Sequence, residues 1–378
     1  MANRYFDNAA TTPIDPRVFD AMLPFYKEYF NPSSVYSPAR QVRKAIDNAR
    51  EKIADSIGAE PREIFFTSGG TEANNWAIIN TPTKEKNHII TAKTEHHAIL
   101  QACEYMEKQG FNITYLDVDS DGLVNEQDIK RAITDKTAII SIMLANNEIG
   151  TIQPIADFEK YKNIVFHTDA VQAVGHMPVN VNDLGVDLLS LSAHKFYGPK
   201  GIGALYIRKG TKISPWTHGG SQERKIRPGT ENVTGIIGMG KAIEIAEYGD
   251  ARLRDLLIEQ ILENIPYTIL NGHRTKRLSN NANITFRFIE GEALLIHLDM
   301  AGFQVSTGSA CTSGSLDPSH VLLAMGVEHG DANGTLRFSL NKYHTESDIH
   351  ELVDILKVSV KKLRTMSPLY DDFIKLSL

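Results

Sequence analysis

Cysteine is nearly absent: Cys103 and Cys311 are the only two in 378 residues. Two thiols cannot build a disulfide framework, so a reducing cytoplasm is the expected compartment. Long apolar runs are missing too. No stretch approaches the roughly 20 residues that cross a bilayer, and the opening MANRYFDNAATTP lacks the apolar run of a signal peptide, so neither membrane nor export is expected. Basic clusters are also missing. Lys and Arg number 40 against 46 Asp and Glu, a formal charge of -6, which makes nucleic acid a poor partner. There is no internal repeat and no low-complexity segment. What remains is a soluble globular composition, 42% hydrophobic and 23% charged, at a length that favours two domains.

Short apolar strands recur along the first two thirds: Ile64–Thr67, His88–Thr91, Ile113–Val118, Ala138–Leu144, Ile164–Thr168, Leu188–Ser192 and Gly203–Ile207. Helical patterns intervene, notably Ala98–Gln109 and Glu126–Ala132. Val42, Ile46, Ala49, Ile53 and Ile57 repeat at helical spacing before Gly58, and Ser37-Pro38 reads as a cap followed by a first-turn proline. The alternation predicts an α/β fold with a mostly parallel sheet covered on both faces. Past Thr211 the pattern changes. Ile236–Ile261 reads as one or two long helices. Strands at Asn283–Phe288 and Leu336–Leu340 mix with helices at Glu292–Met300 and His320–Met325, and Thr345 with Asp348 forms a capping-box pattern before a long closing helix. This predicts a large domain over residues 15–250 and a smaller α+β domain made of 1–14 and 251–378.

The chemistry centres on VDLLSLSAHKFYGPKGIG, Val186–Gly203. It is a buried-strand pattern that breaks into small and polar residues at Ser192, His194 and Lys195. A lysine at the carboxyl end of such a strand sits where open α/β sheets bind ligands. Desolvated there, it can form a Schiff base with a carbonyl cofactor, although a lysine that merely reaches solvent from a strand end accounts for the same residue.

The flanking motifs each carry two readings. In Thr67-Ser68-Gly69-Gly70-Thr71-Glu72 a strand turns on two glycines into a helix, which suits either a phosphate or a plain tight turn. His96 and His97 follow another strand. One imidazole can stack on a flat cofactor, or both can cap the helix, but neighbours on a helix do not face one way and so make a poor metal pair. Asn146 and Asn147 either shape a turn or point an amide at a ligand. Asp169, 26 positions before Lys195 (195 minus 169), is an N-cap or a buried carboxylate that needs a cation such as a protonated pyridine nitrogen. Arg337 lies inside an apolar strand, where a guanidinium grips a substrate carboxylate or makes a structural ion pair. Cys311 is surrounded by small residues, Ser306-Thr307-Gly308-Ser309-Ala310 before it and Thr312-Ser313-Gly314-Ser315 after, which predicts a reactive thiol on a flexible loop. Cys103 shares a helical face with Ile99 and Met106 and belongs to the core.

Together, YFDNAATTP, TSGGTEANN, TEHHAIL, NNEIGTIQP, HTDAVQ, SAHKFYGPKGIGALY and STGSACTSGSLDPSHVL follow one another over nearly the whole chain. In that series the chain resembles the cysteine desulfurases of the NifS/IscS type, fold-type I pyridoxal-phosphate enzymes of the class V aminotransferases. Its cysteine loop is similar to that of the long-loop group. The resemblance implies that Lys195 is the Schiff-base lysine, that His96 stacks on the pyridine ring and that Asp169 holds its nitrogen. It implies Gln172 and Asn147 at the phenolic oxygen, and Gly70, Thr71, Ser192 and His194 at the phosphate. Thr230 is implied to reach the phosphate of a neighbouring subunit, hence a homodimer. Arg337, with Asn147 beside it, is implied to bind the substrate L-cysteine, and Cys311 to carry the persulfide to an iron–sulfur scaffold protein of the IscU type. Three departures stand out: Gly70 where alanine is commoner, Pro228 for a usual serine, and Asn341-Lys342 for Gly-Arg. Selenocysteine lyase and ordinary class V aminotransferase are the alternative enzyme readings, and a non-catalytic interaction protein the third. No metal site is otherwise expected, and whether Cys311 also ligates an iron–sulfur cluster stays open.

Overall fold

The two residues that follow each other along a buried strand point to opposite faces, and here they enter two different cores. Ile89, Ile139 and Leu188 pack on one side of a sheet with Trp76, Ile99 and Cys103, while Ile90, Ile140 and Leu189 pack on the other with Ile46, Ile53 and Met239. The computed structural model describes residues 4–307 and 317–376. The strands are β1 (Ile64–Thr67), β2 (His88–Ala92), β3 (Asn112–Leu116), β4 (Thr137–Ser141), β5 (Val165–Asp169), β6 (Leu188–Ser192) and β7 (Gly203–Ile207). They form one seven-stranded sheet in the order β1-β7-β6-β5-β4-β2-β3. From β3 to β6 the neighbours are parallel, and β7 runs antiparallel to both β6 and β1. The mostly parallel sheet expected from the strand–helix alternation is what forms, and Cys103, on the helix His97–Lys108, is fully buried against one face of it.

A second, antiparallel sheet of β8 (Thr268–Leu270), β9 (Asn281–Phe286) and β10 (Thr335–Ser339) runs in the order β10-β9-β8. The helices Ala251–Asn264 and Glu346–Arg364 cover it, contributing Leu257, Ile261, Leu352 and Leu356 to a separate core. The Thr345–Asp348 capping box is present. The amino-terminal segment belongs to this sheet: Phe6 is fully buried in the same core, and its amide donates to the Gln304 carbonyl at 2.7 Å. The chain then crosses to the large sheet, where the Thr12 amide donates to the His194 carbonyl at 2.9 Å.

Several boundaries differ from the sequence expectation. The stretch Ile236–Ile261 divides into Val233–Glu244 and Ala251–Asn264, because Asp250 accepts from the Arg252 amide at 2.9 Å and starts a new helix. Ser37 is the first helical residue, behind Tyr36 at the N-cap, and no side chain caps that end. β8 was not foreseen; three residues with an exposed centre carry little period-two signal. The short helix His320–Ala324 packs away from the small-sheet core. Val321, Leu322 and Met325 form a satellite cluster with Ile149, which follows β4 in the large sheet.

Candidate active site

The cavity of about 290 Å³ lies at the carboxyl ends of β5 and β6, where an open α/β sheet binds ligands. Its floor depends on close backbone approach. A Cβ at Gly203, opposite Ser192, would lie 2.6 Å from the Leu191 carbonyl oxygen and 2.7 Å from the Gly69 Cα. A Cβ at Gly70 would lie 2.6 Å from Cγ2 of Val171. The alanine that is commoner in this motif therefore requires Val171 to move, and glycine at 70 goes with this neighbour.

β6 ends in a tight 3₁₀ turn, Ala193–Lys195, that carries the lysine into the cavity. Lys195 Nζ donates to the carbonyls of Ala9 and Ala10 at 2.6 and 2.8 Å. It therefore does not reach out to bulk solvent. Asp169 ends β5 and is 3% exposed. Its Oδ1 accepts from the Val171 amide at 2.9 Å and its Oδ2 from Asn74 Nδ2 at 2.6 Å. It forms no ion pair with a Lys or Arg of the described residues. A buried carboxylate so placed favours a cationic ligand group in the cavity.

His96 lines the same cavity, and its Nδ1 accepts from the Ala98 amide at 3.0 Å. The capping reading holds, for it caps the helix His97–Lys108, and the ring also lines the cavity, with its proton on Nε2. Burial pulls its pKa down, Asp169 pushes it up and Lys195 lowers it, for a net decrease. The two asparagines divide the work. Asn146 shapes the turn, its Oδ1 accepting from the Glu148 amide at 2.8 Å and the Ile149 amide at 3.1 Å, whereas Asn147 lines the cavity. Gln172 lines it also and donates to the Ala9 carbonyl at 2.9 Å.

Gly70 and Thr71, at the start of the helix Gly70–Asn80, line the cavity together with Ser192 and His194, and a Cβ at Gly70 would lie 3.7 Å from that of Ser192. Free N–H groups at a helix start and hydroxyls suit a phosphate. His194 Nδ1 lies 3.1 Å from Thr11 Oγ1, and burial, reinforced by Lys195 and Lys200, lowers its pKa to about 4. Arg337, from β10, also lines the cavity. Nη1 donates to the Asn147 carbonyl at 3.0 Å and Nη2 to Asp7 Oδ1 at 2.7 Å, while Nε has no partner among the described residues. The structural ion pair thus leaves one buried guanidinium donor, Nε, unsatisfied.

Among the described residues that the resemblance implies, Thr230 does not line this cavity. Thr230 is exposed outside it, on a loop tied back by Arg227, whose Nε pairs with Glu72 Oε1 at 2.8 Å. Cys311 lies outside the described residues. Sequence reading missed Asn74, the partner of Asp169. The signal was available, because 71 and 74 share a helical face and an asparagine buried there needs a partner. The Ala9 and Ala10 carbonyls gave no signal, being backbone.

The protein-family model described as Aminotransferase class-V matches residues 4–352. A relative named cysteine desulfurase IscS, from Dictyoglomus turgidum, is 56% identical over 379 residues, covering 96% of this chain and 96% of its own. Its namesake from Methanosarcina thermophila is 55% identical over 379 residues, covering 97% and 94%. A solved structure of a NifS-like protein matches with a TM-score of 0.89 at 39% identity over 95% of this chain and 99% of its own. Another, of SspA in complex with cysteine, matches at 0.81 with 38% identity over 91% and 100%.

Proposed function

The chain belongs to the class-V aminotransferase family, and on that premise we propose that it is a pyridoxal-phosphate-dependent cysteine desulfurase. The observation that carries this reading is the pairing in one cavity of a lysine amine with a buried carboxylate that has no Lys or Arg counterion among the described residues. The remaining lining fits the same cofactor: hydroxyls, a neutral imidazole and a helix start suit a phosphate, a second imidazole a flat ring, and a guanidinium a carboxylate. When bound, pyridoxal phosphate supplies an electrophilic carbon for amines and a ring that withdraws electrons from the substrate's Cα.

In this reading Asp169 keeps a proton on the ring nitrogen, Gly70, Thr71, Ser192 and His194 hold the phosphate, and Asn147 and Gln172 serve the phenolic oxygen. His96 covers the ring. Arg337 holds the carboxylate of L-cysteine. Lys195 would hold the cofactor through its amine and, with L-cysteine bound, would move the proton at the substrate's Cα. The thiolate of Cys311 then bonds to the substrate sulfur as the Cβ–S bond breaks, and Cβ gains a proton. The balance is L-cysteine plus the Cys311 thiol giving L-alanine plus a Cys311 persulfide.

Chain reach allows that step. Ser306 pairs with Arg337 across the strands, and the five residues from 306 to 311 extend at most roughly 17 Å. The acceptor we propose is an iron–sulfur scaffold protein, and the assembly a homodimer in which Thr230 serves a neighbouring cavity, supported by its exposure away from its own. No helix of the described residues is long and apolar enough to cross a membrane, which agrees with a cytoplasmic enzyme. The domains in this reading are 15–250, and 1–14 with 251–378.

The test is incubation of the loaded protein with L-cysteine, scoring alanine and protein persulfide. Both form together in the parent, both vanish in Lys195→Ala, and persulfide vanishes in Cys311→Ala. Transamination that persists in Cys311→Ala with no persulfide from the parent would replace this reading with an aminotransferase.

A further inference from the structure

Three consecutive residues after β4 look in different directions. Asn147 lines the cavity, Ile149 packs against Val321, Leu322 and Met325, and Glu148, 4% exposed, accepts a hydrogen bond from Ser319 Oγ. Ser319 is itself 4% exposed and caps the helix His320–Ala324, its Oγ also accepting from the Leu322 amide at 3.3 Å. His320 adds a second tie: its Nε2 donates to the carbonyl of Glu95 at 2.9 Å, and its ring lies 4.7 Å from that of His97. Glu95 and Glu148 thus each adjoin a cavity residue, His96 and Asn147. The helix whose N-cap lies eight positions after Cys311 (319 minus 311) is joined to both cavity turns.

Among the described residues no Lys or Arg forms an ion pair with the Glu148 carboxyl, and its hydrogen bond to another side chain is the one from Ser319. A buried carboxyl is costly to hold in place unless it is used. Its neighbours strengthen the point, since Asn281 and Asn283 of β9 donate to the carbonyls of Asn147 and Glu148 at 3.3 and 3.2 Å. The backbone of this turn is already held by the small sheet, leaving the Glu148 side chain to hold something else.

We infer that Glu148 and Ser319 are positioning residues that set where the thiol-bearing segment returns to the fold, and hence the delivery of Cys311 sulfur chemistry to the cavity. The inference rests on the desulfurase reading for its role and on the geometry above for its existence.

Ser319→Ala and Glu148→Ala each remove one side of the bond, while Ser319→Thr and Glu148→Gln keep a hydroxyl and an acceptor. In the full chain loaded with pyridoxal phosphate, each alanine variant lowers kcat for persulfide formation about tenfold, the order expected for one buried hydrogen bond, with KM for L-cysteine unchanged. The conservative variants stay within about twofold, and the double alanine variant is no worse than either single one, as for two residues acting through one contact. Independently of turnover, iodoacetamide alkylation of Cys311 in the cofactor-free chain speeds up severalfold in the alanine variants. Buried Cys103 does not obscure it. Alanine variants that keep both the parental alkylation rate and the parental kcat overturn the inference. A parent that forms no alanine overturns the desulfurase reading instead, and the alkylation rates still decide this one.

Discussion

Nη2 of Arg337 donates to Oδ1 of Asp7 at 2.7 Å, across 330 positions of sequence. The ion pair aims the guanidinium but does not exhaust it, because Nε has no partner among the described residues and Nη2 retains a second hydrogen. Donor capacity is therefore left for a substrate carboxylate. Arg337→Ala is expected to raise KM for L-cysteine roughly 10- to 100-fold, the worth of charge-assisted hydrogen bonds. Asp7→Ala, which leaves the fork present but unaimed, should raise it less. Steady-state alanine formation measures both, and an Asp7→Ala effect as large as that of Arg337→Ala would show that Asp7 does more than aim.

Asn74 gives its amide to Asp169 at 2.6 Å, with the Asn74 Oδ1 left without a partner among the described residues. Removing the donor leaves a buried carboxylate less well solvated by the protein. Asn74→Ala should cost about 1–3 kcal/mol of stability in the cofactor-free chain. The loss should be smaller when pyridoxal phosphate is bound, since its ring nitrogen then satisfies Asp169. Thermal unfolding with and without cofactor checks this, and equal losses in the two states would contradict it.

The Glu148 carboxyl is pushed up from 4.5 to about 7 by burial, against the lowering effects of Ser319 and Arg337. A raised carboxyl holds its proton more tightly when folded. Its stabilising share is therefore complete below about pH 4.5 and is lost as pH rises through about 7. Glu148→Gln stays neutral throughout. Relative to the parent it should gain stability at pH 8 over pH 5, by an amount on the order of 1–3 kcal/mol. Tm differences between the two proteins at both pH values measure it, and a pH-independent difference rules it out.

Thiol counting separates the cysteines. Cys103 is fully buried, and burial raises its thiol pKa. The native chain should react with one equivalent of alkylating agent and the unfolded chain with two. Cys103→Ala should cost on the order of 1 kcal/mol and leave alanine formation intact. Rapid reaction of two thiols in the native state would remove Cys103 from the core.

Period and punctuation were enough for the large sheet. Buried strands read as short apolar runs, and three of them, Ile64–Thr67, Leu188–Ser192 and Gly203–Ile207, have the expected bounds. The cavity lining was legible wherever it draws on side chains at strand ends, as with Lys195, Asp169 and His96. It was silent where function used backbone or a remote partner. The Ala9 and Ala10 carbonyls that hold Lys195 have no side-chain signature, and the choice between Asn146 and Asn147 depended on which amide the turn consumed.

By its residues alone the chain determined its fold class, its cavity chemistry and its family, because hydrophobic period and reactive groups are properties of local order in sequence. Only the tertiary structure decided which groups are already spoken for: Arg337 by Asp7, Asp169 by Asn74, Glu148 by Ser319. Those pairings join segments that are between 95 and 330 positions apart. No local pattern specifies a hydrogen bond between residues brought together only when the sheets close on one another.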